Sequence, residues 1–252
     1  MSTVDFSVSE SVATITLNSP KRRNALSAEL LTELRAHLDT AEADPSVRSV
    51  VLSHTGTVFC SGMDLTTVAD VPAEDQPITA FPVLLQRLWE YPKPIVARVN
   101  GKARAGGIGL IAACDIAIGD EQADFAFTEV RLGLVPAVIS VPLLPRVQAR
   151  AALELSLTGE VFGAARAREI GLLNLVCADV DAEVARYGAM FRLCEPAALA
   201  ATKQMLLRDR SGLSMAEDLA RMSELSAGFF AGPAAAEGIA AFGAKRPPSW
   251  AE

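Results

Sequence analysis

The stretch that most constrains this chain is Asn100-Gly101-Lys102-Ala103-Arg104-Ala105-Gly106-Gly107-Ile108-Gly109-Leu110. It follows an apolar run, residues 95–99, that reads as a buried strand, and it precedes residues 110–115, which read as a short helix. A glycine-rich turn in that setting leaves backbone N–H groups free at the positive end of a helix dipole. Such a turn can hold a phosphate, a carboxylate or an oxyanion. The same glycines also suit a tight turn and close packing with no ligand at all, so the rest of the chain has to decide.

Composition removes several classes. The 252 residues suffice for one large domain, or one domain with an appendage, and with 50% of them hydrophobic a sizeable core is expected. A formal net charge of -7 argues against a nucleic-acid-binding face. Cys60, Cys114, Cys177 and Cys194 show no metal-like spacing. The first residues, Met-Ser-Thr-Val-Asp, lack the basic flank and apolar core of a signal peptide. No apolar run reaches the roughly 18 residues of a membrane span. These features predict a cytoplasmic protein with reduced thiols, no membrane partner and no bound metal.

Along the chain, residues 4–8 and 12–17 alternate and are β-branched, which predicts a hairpin. Ser27 is a good N-cap for a helix with Leu30, Leu31, Leu34, Leu38 and Ala41 on one face, ending before Asp44-Pro45. Residues 47–52 read as the next strand. Residues 55–65 form a second turn rich in small side chains, and residues 68–82, with Pro72, Pro77 and Pro82, read as a mobile loop before a helix over 83–89. Further strands are expected at 115–119, 125–127 and 173–176. Helices are expected at 148–157 and 164–170, with Gly171 as a stop. Nearly everything over 179–242 reads helical, with a capping box, Ser-x-x-Glu, at Ser214 and Glu217. No repeat is visible in the sequence.

The chemistry has few candidate carriers. There is no Gly-x-Ser-x-Gly elbow and no phosphate-binding Gly-x-x-x-x-Gly-Lys-Ser/Thr pattern. His37 reads as a solvated helix residue, and His54 ends a strand without a recognisable partner. That leaves the two glycine-containing turns and one acid, Glu129, in Phe-Ala-Phe-Thr-Glu-Val-Arg-Leu-Gly-Leu-Val-Pro. A carboxylate after such an apolar run, if buried, has a raised pKa suited to proton transfer near neutrality. The alternative is a salt bridge, with Arg131 the nearest cation in sequence.

Taken together, these residues resemble the crotonase, or enoyl-CoA hydratase/isomerase, family over essentially the whole chain. The resemblance rests on residues 20–26 (Pro-Lys-Arg-Arg-Asn-Ala-Leu), 59–65 (Phe-Cys-Ser-Gly-Met-Asp-Leu), 100–115 and 125–136. Thr158-Gly159-Glu160 followed by residues 164–174 completes it. It implies an α/β fold, a spiral of ββα repeats over residues 1–194. A C-terminal helical region, residues 195–252, would pack a homotrimer, or a homohexamer when trimers pair. It also implies an acyl-CoA substrate with no separate cofactor, coenzyme A being part of the substrate. The thioester oxygen would accept hydrogen bonds from the backbone N–H groups of Met63 and Gly106, with Glu129 moving protons. Arg22, Arg23 and Ala25 would line the coenzyme A path with Ser61, Gly62, Asp64 and Leu65. Ala105, Gly109 and Thr128 would face the substrate. Lys245 and Arg246, from a neighbouring subunit, would join Arg22 and Arg23 at its phosphates.

The chain departs from the family pattern at one position. Hydratases of the family that use two glutamates carry one where Glu129 stands and another where Gly109 stands, and glycine cannot move a proton. A single base suits isomerisation of a 3-enoyl to a 2-enoyl thioester, whereas likeness to the family's bacterial hydratases favours hydration. The sequence reading places the hydratase ahead of the isomerase. A coenzyme A thioester binder with little or no turnover is the alternative from another class.

Overall fold

Val4–Ser9 (β1) and Val12–Leu17 (β2) pair antiparallel and turn through Glu10 and Ser11, both with positive φ, the geometry that matches strand twist in a tight hairpin. The computed structural model describes residues 2–64, 77–209 and 211–251. The Ser27 hydroxyl accepts the Leu30 N–H and starts Ala28–Ala43 (α1), which buries the expected leucine face and stops at Asp44. The next strand, Ser49–His54 (β3), begins later than expected. Val47 N–H is taken by the Asp44 carbonyl in a turn, and Arg48 N–H by Ser11.

Val58–Cys60 (β4) then leads towards Pro77–Trp89 (α2). Here the structure corrects the sequence reading, which takes residues up to 82 as loop. The helix starts at Pro77, where a missing N–H costs nothing, and continues through Pro82 because Phe81, Leu84, Leu85 and Leu88 form one buried face. Residues 68–76 of that loop lie outside the described residues.

Ile95–Val99 (β5) is followed by Lys102–Arg104 (β6) and Gly106–Ala113 (α3). The glycines expected in a turn therefore form the first helical residues, after a short strand that the sequence reading does not resolve. Close approach explains them: a Cβ on Gly107 would sit 2.6 Å from the Cys60 carbonyl oxygen.

Ile116–Gly119 (β7), Asp124–Ala126 (β8), Ala137–Leu143 (α4) and Ala149–Thr158 (α5) follow. Phe162–Gly163 (β9), Ala164–Glu169 (α6), Leu175–Val176 (β10) and Val180–Arg192 (α7) complete the series, with Gly171 at φ +92° after α6. Two sheets result, in orders β1-β2-β3-β5-β7-β10 and β4-β6-β8-β9. Neighbours are parallel except β1 with β2 and β8 with β9. Three ββα turns run in succession: β3-β4-α2, β5-β6-α3 and β7-β8-α4. In each, the first strand joins the six-stranded sheet and the second the four-stranded one. This is the spiral the resemblance implies. Its repeat is one of topology, which the residues do not echo.

The chain divides into two compact units, Met1–Gly188 and Ala189–Glu252. The second holds Pro196–Leu207 (α8), Met215–Phe230 (α9) and Pro233–Ala244 (α10). The capping box at α9 is complete: Ser214 Oγ accepts the Glu217 N–H and Glu217 accepts the Ser214 N–H. Among the described residues no single helix is long and apolar enough to cross a membrane. α9 and α10 reach that composition only as a pair, bent by 67°.

Candidate active site

Three parallel strands of the smaller sheet, β4, β6 and β8, build the site. Ala103 pairs with Cys60 on one side and Phe125 on the other, so all three strands end at the same edge. Beyond that edge lie Ser61 to Met63, Ala105 to Gly106, and Thr128 to Glu129. Crevices outside the carboxyl ends of parallel strands are where ligands bind in α/β folds. A cavity of about 340 Å³ opens there, lined by Ser61, Met63, Ala105, Gly106, Thr128 and Glu129, with Phe81, Leu132 and residues 134–139 as its apolar walls.

The first turn is pinned by backbone bonds. Ser61 N–H goes to Arg23 O at 3.1 Å, Gly62 N–H to Cys60 Sγ at 3.4 Å and Asp64 N–H to Leu26 O at 3.2 Å. Leu26 N–H donates in return to Gly62 O at 2.8 Å. The Met63 N–H finds no acceptor among the described residues. Gly62 has φ +93°, and a Cβ there would lie 3.1 Å from Ala105 Cβ and 3.6 Å from Gly106 N, so the two turns touch. Burial pushes the Cys60 thiol up to about 12 and keeps it neutral against this turn.

The second turn starts α3 with no side-chain cap. Ala105 stands at φ 46°, ψ −116°, an unusual conformation for a residue with a Cβ. Its N–H goes to Ala126 O at 3.2 Å and its carbonyl takes the N–H groups of Ile108 and Gly109. Gly106 N–H is left as an orphan donor at the helix N-terminus. The helix dipole adds positive potential at the same place.

Glu129 opens a short 3-10 turn, Glu129–Leu132, closed by Gly133 at φ 73°. Its side chain is 8% exposed, and Oε2 is buried without a hydrogen-bond partner. Burial raises its pKa above the ordinary carboxylate value. No ion pair holds it among the described residues. Arg131, the candidate partner, turns instead to Thr158 O at 3.0 Å. A buried carboxylate with an empty acceptor, beside two unpartnered N–H donors, is equipped to take a proton from one part of a bound molecule while charge collects on another.

The structure brings together Ser61, Gly62, Met63, Ala105, Gly106, Thr128 and Glu129. Asp64 is buried next to this turn and carries Arg22 at 3.5 Å, while Arg23, at φ 54°, supplies the carbonyl that takes Ser61 N–H. Ala25 N–H bonds Arg22 O in the same loop. Leu65 lies outside the described residues. Gly109 does not line the cavity. A Cβ there would lie 2.7 Å from Ile139 Cγ2 and 3.4 Å from Phe81 Cζ, so the space next to it is filled. Arg246 makes a two-pronged pair with Glu237 at 2.8 and 2.9 Å within the second unit, and Lys245 there caps α10 at φ 53°.

Two histidines differ from their sequence readings. His37 is half-buried, stacked on Phe6 with ring centroids 5.1 Å apart. His54 has a partner, since Nε2 accepts the Asn100 N–H at 3.1 Å, and burial lowers its pKa. The sequence reading passes over Asn24. Fully buried, it takes Ser19 N–H on Oδ1 and donates through Nδ2 to Thr55 O and Val58 O, tying the Arg23 loop to β4. Its place inside Pro-Lys-Arg-Arg-Asn-Ala-Leu is the signal. Phe81 was hidden by the prolines around it, although it starts the 3–4 spacing of Leu84, Leu85 and Leu88. Among the described residues no group of three or more His, Cys, Asp or Glu is placed to hold a metal ion.

Comparison with known proteins agrees with this geometry. The family model for enoyl-CoA hydratase/isomerase matches residues 7–252. A Thermus thermophilus protein with the provisional name enoyl-CoA hydratase is 40% identical over 94% of this chain and 96% of its own. The 1,2-epoxyphenylacetyl-CoA isomerase of Escherichia coli is 32% identical over 96% of each chain. The crystal structure of an enoyl-CoA hydratase/isomerase from Marinobacter aquaeolei superposes with a TM-score of 0.91 at 31% identity, covering 100% of both chains.

Proposed function

The chain belongs to the enoyl-CoA hydratase/isomerase family, and on that premise we propose that it is an enoyl-CoA hydratase working through one carboxylate. The observation that carries the reading is Glu129: buried, unpaired, and in the same cavity as the free N–H groups of Met63 and Gly106. The thioester oxygen accepts both N–H groups. Glu129 takes a proton from water, and the hydroxide oxygen bonds to the β carbon. The electron pair of the double bond moves through the α carbon onto the thioester oxygen. The enolate then collapses and the α carbon takes the proton from Glu129, so one water adds across one face. Donors of this kind are worth about 3 kcal/mol each to the transition state.

A second reading has its own support: no other carboxylate lines the cavity among the described residues, and the Gly109 position is closed by Ile139. One base suffices to carry a proton from the α to the γ carbon of a 3-enoyl thioester, shifting the double bond into conjugation. Crotonyl-CoA and a 3-enoyl-CoA offered to the same preparation separate the two. Loss of the conjugated absorbance reports hydration and its gain reports isomerisation. In Glu129→Gln either activity should fall by at least a hundredfold with thioester binding retained. Binding of both thioesters with turnover of neither would leave a coenzyme A thioester binder.

Assembly belongs to the same proposal. Leu206, Leu219, Phe230 and Phe242 stand exposed on the second unit, Phe242 at 87%, and a neighbouring copy covers such residues readily. A homotrimer or homohexamer is expected by light scattering. Arg22, Arg23, Lys245 and Arg246 are proposed for the coenzyme A phosphates, and neutralising them should flatten the salt dependence of its affinity.

A further inference from the structure

Beyond one wall of the cavity lies a second apolar space, a groove of about 720 Å³ between α2 and α4. Ala137 and Val138 line both spaces. On α2, Phe81 faces the cavity, whereas Leu85 and Trp89, on the turns that follow, face the groove. On the α4 side, Val141 and Pro145 continue the wall beyond Ala137 and Val138. Both segments thus lead away from Glu129 and carry an apolar surface with them, over about 12 Å of helix rise along α2.

The groove makes no polar demand. Its two polar side chains, Gln86 and Glu90, satisfy each other, with Gln86 Nε2 donating to both carboxylate oxygens at 3.2 and 3.3 Å. Val141 is 74% exposed at its edge. An occupant has to be apolar, narrow enough to cross the Ala137–Val138 sill, and attached to something held at Glu129. We propose that the acyl tail of the thioester crosses this sill and lies between α2 and α4, which makes the chain a binder of medium- and long-chain acyl-CoA. The proposal rests on the thioester reading above and adds the tail's route to it.

Burial of a methylene strengthens binding by up to about fourfold, so the groove should be visible in chain-length dependence. The test is calorimetric affinity for butyryl-CoA and dodecanoyl-CoA, saturated thioesters that need no turnover. The parent protein should bind dodecanoyl-CoA at least a hundredfold more tightly. Val141→Arg, which sets a charge in the groove from an exposed position, should cut that ratio at least tenfold. Gln86→Leu should hold or raise it. No preference for the longer chain, or a preference that survives Val141→Arg, overturns the route. Equal weakening of both thioesters with a change of mass in light scattering assigns the groove to a second copy and also overturns it. If the ratios behave as expected while neither crotonyl-CoA nor a 3-enoyl-CoA turns over, the reaction is wrong and the route stands.

Discussion

At residues 61–64 every N–H except that of Met63 is tied to a carbonyl or a sulfur, and the turn is held by its bonds. At Ala105 and Gly106 the opposite holds. The helix has no side-chain cap, Ala105 sits at φ 46°, and packing of Gly106 against Leu26 and of Gly107 against Cys60 sets the position. Both arrangements leave one donor aimed into the same cavity. A donor fixed by bonds should tolerate changes in packing, and one fixed by packing should not.

The largest effect tests the packed side. Gly106→Pro deletes its donor, and kcat on a thioester substrate should fall about 10²–10³-fold. Far-ultraviolet circular dichroism must show the fold retained, and near-normal turnover in such a protein would break the comparison. Next comes the contact between the turns. Gly62→Ala places a Cβ 3.1 Å from Ala105 Cβ at φ +93°, so urea melts should show a loss of about 2 kcal/mol. Ala105→Gly in the same chain should recover part of it, and strict additivity would mean that the turns do not press on each other.

Ala105→Gly alone sharpens the contrast further. It relieves the strained φ, so stability should rise by about 1 kcal/mol while kcat drops severalfold as the Gly106 donor loosens. A gain in both would mean that the strain does not aim the donor.

The smallest effect concerns the third strand end. Burial raises the Glu129 pKa above its ordinary 4.5, so the folded state keeps the proton longer than the unfolded state does. Stability should therefore fall as pH rises from about 4.5 through the folded value. Glu129→Gln escapes that cost. Its melting temperature should exceed the parent's at pH 7, with the difference shrinking to a constant below pH 4.5. A less stable Glu129→Gln at neutral pH would point to an anchoring role.

Much of this was legible from residues alone, and the exceptions share a cause. The hairpin, α1 and the capping box follow local rules, and they stand where those rules put them. Glu129 could be picked out because an acid after Phe-Ala-Phe has little solvent to reach. The start of α2 could not, because Pro82 signals a break and only the tertiary burial of Phe81 and Leu84 overrides it. The helical state of Gly106, Gly107 and Gly109 depends on contacts from Leu26, Cys60 and Ile139, far away in sequence. For the same reason the closed space beside Gly109 and the pairing of Arg246 with Glu237 could not be read in advance.

The shared edge of β4, β6 and β8 has a consequence for dimensions. Paired strands stand about 4.8 Å apart whatever side chains they carry. Three loops that leave three neighbouring strands are therefore dealt out on a ruler graduated by the peptide bond itself. The span from the two carbonyl-gripping amides to the proton acceptor is measured in that unit. Core substitutions can loosen the protein or tighten it without recalibrating the ruler. Its graduations move only where a register slips, as it already does between Val58 and Cys60.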